Sequence, residues 1–267
     1  MLSGLIVYAE ADHERNAWFI SSCINHFASN GISLIYQNED DVFDYVKKNK
    51  VDFAIYRARN YKVLQELEDQ GIRCFNNALT NKVANNKYLT YQFLLKQNIG
   101  CLSSFLSINE LNEYPLIMKS VDGHGGQEVY LIQNENEAET FKKPGKEYVY
   151  QSFYKNGRDL RLFVLDKKVI GAVLRHNDAD FRSNFSLGGQ IEPFEASDEL
   201  KVTAEQIAKI LDADYIGVDF LKVDEKWLVN EIEDPVGARM LFKASGVDAS
   251  KLFCDFIYRA LTEKWII

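Results

Sequence analysis

A small α/β domain followed by a larger α+β domain is the architecture this sequence predicts, on three observations. Strand and helix signals alternate over the first 79 residues, the pattern of βαβ units around a small parallel sheet. Past Ser107 strand-like runs follow one another closely, as hairpins do. A composition of 46% hydrophobic and 26% charged residues supplies an ordinary globular core, and 267 residues suffice for two domains.

In order, "SGLIVYA" reads as a short β-rich strand, and "ERNAWFISSCINHFASNG" has helical spacing up to Gly31. "ISLIYQ" is a second strand, "DVFDYVKKN" a second helix and "VDFAIYRA" a third strand. "KVLQELEDQG" is a helix ending at a glycine, and "IRCFNN" a fourth strand. Ligands of such sheets gather at the carboxyl ends of the strands, which points to Tyr8, Glu10, Arg57 and Arg59, although surface charge is the commoner explanation for each. Residues 1–79 form this first domain and 80–267 the second.

Thr80 is expected to cap a helix running through "NKVANNKYLTYQFLLKQN" to Gly100. The strands "YPLIMKS", "EVYLI", "EYVYQSFY", "DLRLFVLD" and "KVIGAVLRH" follow, the last two joined as a hairpin through Asp166–Lys167. The helix "SDELKVTAEQIAKILD" precedes a second hairpin, "YIGVDFLKVDEKWLVNEIE". One helical stretch, "GARMLFKASGVDASKLFCDFIYRALTEK", closes the second domain.

A net charge of −8 argues against a nucleic-acid backbone binder, which would carry basic stripes. No apolar run approaches the roughly 18 residues of a membrane span, and "MLSGLIVYAE" lacks the basic start of a signal peptide. Cys23, Cys74, Cys101 and Cys254 stand far apart and read as free thiols in a reducing compartment. The expected location is cytoplasmic, without nucleic acid or membrane partners.

The chemistry-bearing residues begin with absences. There is no Walker loop, the four histidines lack zinc spacing, and no serine sits in a nucleophile elbow. Lys119 ends the apolar run "PLIMK", where a charge requires an anionic partner. Gly123, Gly125 and Gly126 follow in "DGHGGQ"; taken alone they make either a hairpin turn or a loop whose N–H groups approach phosphate. Asp219 interrupts "YIGVDFL", and Glu231 and Glu233 alternate along a strand, so both point to one face. Two carboxylates on one face repel unless a cation lies between them. Such an oxygen-rich set suits Mg²⁺, and a solvated edge strand is the alternative.

The order of these features resembles the ATP-grasp superfamily, and within it the RimK-like branch of ATP-dependent carboxylate–amine ligases. The likeness is clearest from about Asn77 to Gly237. It implies an ATP-grasp fold, a small N-terminal parallel-sheet domain followed by two α+β subdomains that grip ATP. It places the nucleotide-binding lysines at Lys87 and Lys119, the phosphate lid at Gly123, Gly125 and Gly126, and the adenine-binding linker at Gln151, Ser152, Phe153 and Tyr154. Asp159 and Arg161 of "GRDLRLFV" join the nucleotide site. Arg175, Arg182 and Asn184 of "LRHNDADFRSNFSLGG" match the catalytic pattern, and "GVDFL…NEIEDPVG" supplies metal ligands Asp219, Glu231 and Glu233. Arg239 is a candidate for the substrate carboxylate, or simply a helix-surface residue.

Two departures stand out. Ser152 replaces the family's acidic linker residue, and Glu233 replaces the asparagine of its usual metal motif. The resemblance implies an ADP-forming carbon–nitrogen ligase with ATP and Mg²⁺ (Mn²⁺ the alternative ion). Its partners are a small-molecule or peptide carboxylate and an amine or amino acid of glutamate type; a homo-oligomer is left open. "RDLR…FRSN" and the short first domain favour this branch over carboxylases and D-alanine–D-alanine-type ligases. The rival class is a non-catalytic ATP-binding or regulatory module on the same fold.

Overall fold

The computed structural model describes residues 2–111, 113–126, 128–154, 158–176 and 190–263. It opens with β1 (Ser3–Tyr8), α1 (Glu10–Ser29), β2 (Ser33–Asn38), α2 (Val42–Val46), β3 (Phe53–Tyr56), α3 (Tyr61–Asp69) and β4 (Arg73–Phe75). The strands form a parallel sheet in the order β2-β1-β3-β4. Central strand β1 is buried on both faces, which is why it reads as a continuous apolar run. Ile6 and Tyr8 pack toward Phe19, Ile20, Cys23 and Phe27 of α1, while Leu5 and Val7 pack toward Leu64 and Leu67 of α3. Gly4 is required here, because a Cβ on it would lie 2.2 Å from the Phe53 ring.

The next helix is two helices. α4 (Ala78–Ala84) is capped by Asn77, whose side chain accepts from the Thr80 N–H, so Thr80 lies inside the helix and is not its cap. Asn86 then caps α5 (Lys87–Lys96) by accepting from the Leu89 N–H. The short Asn side chain satisfies a free N–H at a helix start, and two successive asparagines there favour a break over continuation.

A three-stranded antiparallel sheet follows, ordered β6-β5-β7, from β5 (Leu116–Ser120), β6 (Val129–Ile132) and β7 (Tyr148–Ser152). Leu116 and Met118 pack toward Ala138 of α6 (Glu135–Phe141), a helix the sequence reading did not anticipate despite its Asn134 cap. Ile117 and Lys119 face the other way.

The largest sheet runs β10-β9-β8-β11-β12, from β8 (Arg158–Leu165), β9 (Lys168–His176), β10 (Gln190–Pro193), β11 (Tyr215–Val223) and β12 (Lys226–Glu233). The β8–β9 turn places Asp166 and Lys167 at φ 50° and 60°, as a two-residue hairpin with a type I′ twist needs. Leu160, Leu162, Val164, Ile216, Val218 and Phe220 form one face and pack toward α7 (Asp198–Ile210). The opposite face carries Asp159, Arg161, Arg175 and Asp219. The closing helical stretch is also two helices, α8 (Arg239–Ser245) and α9 (Ala249–Thr262), separated where Gly246 turns left-handed at φ 76°.

The first sheet does not close its core alone. Phe253, Phe256 and Ile257 of α9 join the cluster containing Ile6, Phe53 and Phe75, with Phe75 and Phe256 edge-to-face at 6.1 Å. Asn76 joins the parallel sheet to the five-stranded sheet at the polar level. Its Oδ1 accepts from the Asp214 and Tyr215 N–H groups at 2.6 and 2.7 Å, and its Nδ2 donates to the Tyr215 carbonyl and to Asp234. No helix among the described residues is long and apolar enough to cross a membrane.

Asp214, buried beside Arg73 at 2.6 Å, gives a test of this junction. Burial raises its carboxyl to about 6, against the pull of Arg73 and Lys167. The folded-state pKa stands above the unfolded value of about 3.9, so the stability this group contributes is full below about pH 4 and lost as pH rises through about 6. Asp214→Asn retains an acceptor for Arg73 and removes the titration. The unfolding free energy of the unmodified protein relative to this variant is expected to fall by about 1–3 kcal/mol between pH 4 and 7 in urea titrations.

Candidate active site

A cleft of about 650 Å³ lies between the three-stranded and five-stranded sheets and reaches residues of the first domain at one end. That size falls within the roughly 300–1,000 Å³ of small-molecule sites. Three chain segments build its roof and walls.

The roof is the loop joining β5 to β6. Gly125 and Gly126 adopt φ of 66° and 75°, conformations that favour glycine. Its two ends are tied by the Ser120 N–H donating to the Glu128 carbonyl at 3.1 Å. Lys143 and Lys146 hold the Glu128 carboxylate at 2.8 and 2.7 Å. Thus the glycine cluster is a hairpin loop, and it also covers the cleft.

Lys87 is the first residue of α5, where its backbone N–H donates to the Val121 carbonyl and its Nζ donates to the Gly123 carbonyl. Lys119 is 8% exposed and directs its Nζ to Asn230 Oδ1 at 3.1 Å and Glu231 Oε1 at 3.3 Å. Asn230 reaches the same lysine as Glu231 because the register shifts at Asp219/Phe220: Asp219 faces Glu231 and Phe220 faces Val229, leaving Asn230 as a bulge. Burial lowers the Lys119 pKa and Lys87 lowers it further, while Glu231 works in the opposite direction. Burial pushes Glu231 up, but Lys87 and Lys119 outweigh it and hold the carboxyl below its ordinary range.

The floor is a ladder of charges set by strand register. Arg161 stands directly across from Asp219, Arg175 across from Asp159, and Glu231 across from Asp219 on the other side. Arg161 donates bidentately to Asp219, both distances 2.6 Å, and its Nη2 also reaches Glu233 at 3.0 Å. Arg175 donates to Asp159 and, at 2.7 Å, to Asp219. Burial alone would raise the Asp219 carboxyl; the two guanidiniums overcome it and carry it well below the usual carboxylate range. In this structure two cations of the chain neutralise these carboxylates: Lys119 pairs with Glu231, and Arg161 with Asp219 and Glu233.

Gln151, Ser152, Phe153 and Tyr154 line the cleft, and Gln151 Nε2 donates to Ser104 Oγ at 2.8 Å. Arg239 lines it from the start of α8. Tyr8, Arg57 and Arg59 also line it, whereas Glu10 accepts from Asn38 on the surface. Arg57 donates to the Val236 carbonyl at 2.6 Å, and Arg59 pairs with Asp12 at 2.7 Å. Arg182 and Asn184 lie outside the described residues. Sequence reasoning missed Asn230, Asp12 and His124 as cleft residues; for Asn230 the signal is hidden in the bulge.

Asp219, Glu231 and Glu233 line one cleft, and their all-oxygen chemistry fits Mg²⁺. Among the described residues no three potential ligands stand close enough to chelate a metal by themselves. Mg²⁺ is usually held by one or two carboxylates with substrate phosphates completing the shell, so a protein-only cage is not required.

Asp219 is 3% exposed and serves two buried guanidiniums. Asp219→Asn leaves them short of an anion, and chemical denaturation is expected to show a loss of about 3 kcal/mol. An unchanged midpoint would mean that Asp159 and Glu233 suffice for both arginines.

Comparison with known proteins gives this geometry a lineage. The model of the RimK-like ATP-grasp domain matches residues 84–257. An uncharacterized protein of Mycoplasma genitalium is 31% identical over 89% of this chain and 85% of its own length. A Haemophilus influenzae protein named "Probable alpha-L-glutamate ligase" is 31% identical over 73% of this chain and 70% of its own. The ATP complex of D-alanine–D-alanine ligase from Bacillus anthracis superposes with a TM-score of 0.75 at 17% identity, covering 99% of both chains. A RimK-domain ATP-grasp protein from Sphaerobacter thermophilus does so at 0.71 and 18%, covering 96% of this chain and 99% of the other. At such identities the two structures speak for the ATP-grasp fold alone. With the family model over most of its length and a ligase-named relative above 30% identity, the chain belongs to the RimK-like ATP-grasp family of carboxylate–amine ligases.

Proposed function

We propose that this ligase joins L-glutamate, as the amine, to a substrate carboxylate through an acylphosphate, converting ATP to ADP. The observation that carries the reading is the facing of two lysines and a glycine loop against a wall of carboxylates in one cleft. Lysines and loop amides suit the phosphates; the acidic wall suits their counter-cation. The relatives named as glutamate ligases support the choice of amine.

In this reading Lys87 and Lys119 bind the nucleotide phosphates, exchanging the Gly123 carbonyl and the Asn230 and Glu231 oxygens for phosphate oxygens. Gln151, Ser152, Phe153 and Tyr154 receive the adenine. Asp219, Glu231 and Glu233 hold the Mg²⁺, with Arg161 and Arg175 fixing Asp219 in place. Mg²⁺ supplies neutralisation of charge on the transferring phosphoryl group. Arg175, which matches the family's catalytic arginine, would contribute electrostatically, and the resemblance assigns Arg182 and Asn184 to the acylphosphate. Arg239 faces the substrate carboxylate, for which a guanidinium offers two parallel donors. Arg161 directs Nε and Nη2 to Asp219 and Glu233 as Arg175 directs its own to Asp159 and Asp219, so both arginines also position the carboxylates.

ADP release is the direct test. The carboxylates are free L-glutamate, N-acetyl-L-glutamate and a glutamate-terminated tripeptide, each with ATP, Mg²⁺ and L-glutamate. ADP formation that requires both carboxylate and amine, with an amide product by mass, is the expected result. ATP binding with no turnover on any of these carboxylates would favour the non-catalytic module instead. Lys119→Met keeps the apolar stem and removes the charge; calorimetry is expected to show ATP affinity reduced about 10- to 100-fold with folding retained. Unchanged affinity would remove Lys119 from the nucleotide site.

A further inference from the structure

We propose that His124, at the tip of the glycine loop, is the general base that removes a proton from the incoming amine. This rests on the ligase reading above and adds to it a residue for the second half-reaction. The need is set by proton balance. The amine arrives mainly as an ammonium, since α-amino groups titrate near 8. One proton must leave before its lone pair attacks the acyl carbon. The C–N bond then forms, the C–O bond to phosphate breaks, and the departing phosphate takes the second proton as hydrogen phosphate.

The carboxylates of the cleft are poorly suited to take the first proton, because each is already engaged. Asp12 is held by Arg59, Asp159 by Arg175, Asp219 by Arg161, Glu231 by Lys119, and Glu233 by Arg161. Glu128 is gripped from outside by two lysines, and Asp234 is tied to Asn76 and Asn81. Arg59 and Lys87 are cations. His124 is the one imidazole among the described cleft residues, and its ring makes no hydrogen bond to the other described residues.

Its position fits the task. It projects from the loop that roofs the cleft, and Arg59, Asp12, Glu233 and Lys87 line the same cleft. The loop places the ring at the cleft, so whatever positions the loop also positions the base. An imidazole with no hydrogen-bond partner among the described residues has a ring nitrogen available to accept a proton.

The test separates acyl activation from amine deprotonation. Hydroxylamine is largely unprotonated at neutral pH and traps an acylphosphate as hydroxamate without a base. The unmodified protein and His124→Gln are compared with ATP, Mg²⁺ and the best carboxylate of the screen, using L-glutamate or hydroxylamine as nucleophile. The amide rate of the variant is expected to fall about 100-fold at pH 7, the scale of general-base catalysis, and the hydroxamate rate by less than about tenfold. The acidic limb of the amide pH–rate profile should move upward, and added imidazole should restore part of the rate in His124→Ala. Equal losses with both nucleophiles, or no loss with glutamate, would overturn the assignment. No hydroxamate from the unmodified protein on any carboxylate would overturn the ligase reading, and the base with it.

Discussion

The cleft floor depends on one buried anion. Asp219 sits on the central part of the largest sheet, with a guanidinium across the strand on one side and a carboxylate on the other. A lone buried carboxylate would be costly to ionise. Arg161 and Arg175 make it strongly acidic, and in doing so fix the side chains of β8, β9 and β11 relative to one another. Gly217 makes room beneath them: a Cβ there would stand 2.9 Å from Val236 and 3.3 Å from the Arg161 stem. Replacing the whole network by apolar side chains need not weaken such a fold. Its value lies in presenting oriented charge to the cleft, which an apolar floor would not do.

A second constraint joins this sheet to the first domain. Asn76 and Asn81 hold the two oxygens of Asp234, while Asn77 donates to the Leu211 and Asp212 carbonyls. Asp234 directly follows Glu233, so the residues that dock the domains are continuous with those that line the cleft. The Arg57 bond to the Val236 carbonyl extends the same seam two residues further along the chain. Placement of Arg57 at the cleft therefore follows from this polar bond as well as from apolar packing of α9 against the first sheet, while Arg59 is held by Asp12.

Much of this was legible in the sequence because it rests on local rules. The parallel sheet follows from alternating strand and helix signals, and the β8–β9 hairpin from its polar pair. Lys119 and Asp219 declared themselves as charges inside apolar runs, and Glu231 by its alternation with Glu233. What could not be read depends on register and distance along the chain. Arg161 meets Asp219 58 residues later, Asn230 reaches Lys119 only through a one-residue bulge, and α9 completes a core begun at Ile6. The breaks at Asn85–Asn86 and Gly246 are different. Their cap chemistry was present in the sequence and was outweighed by continuous helical spacing.

The two cleft lysines show how binding strength would be set. Neither points into open space: Lys87 meets the Gly123 carbonyl, and Lys119 meets Asn230 and Glu231. A phosphate must therefore displace protein acceptors, and its affinity is the difference between two sets of charge-assisted bonds. That exchange also releases Gly123 from Lys87, which lets the loop respond to whatever occupies the cleft. Were Lys119 unpaired, burial alone would favour its neutral form. Glu231 offsets that tendency, so the carboxylate facing Lys119 across the cleft works against the loss of its charge.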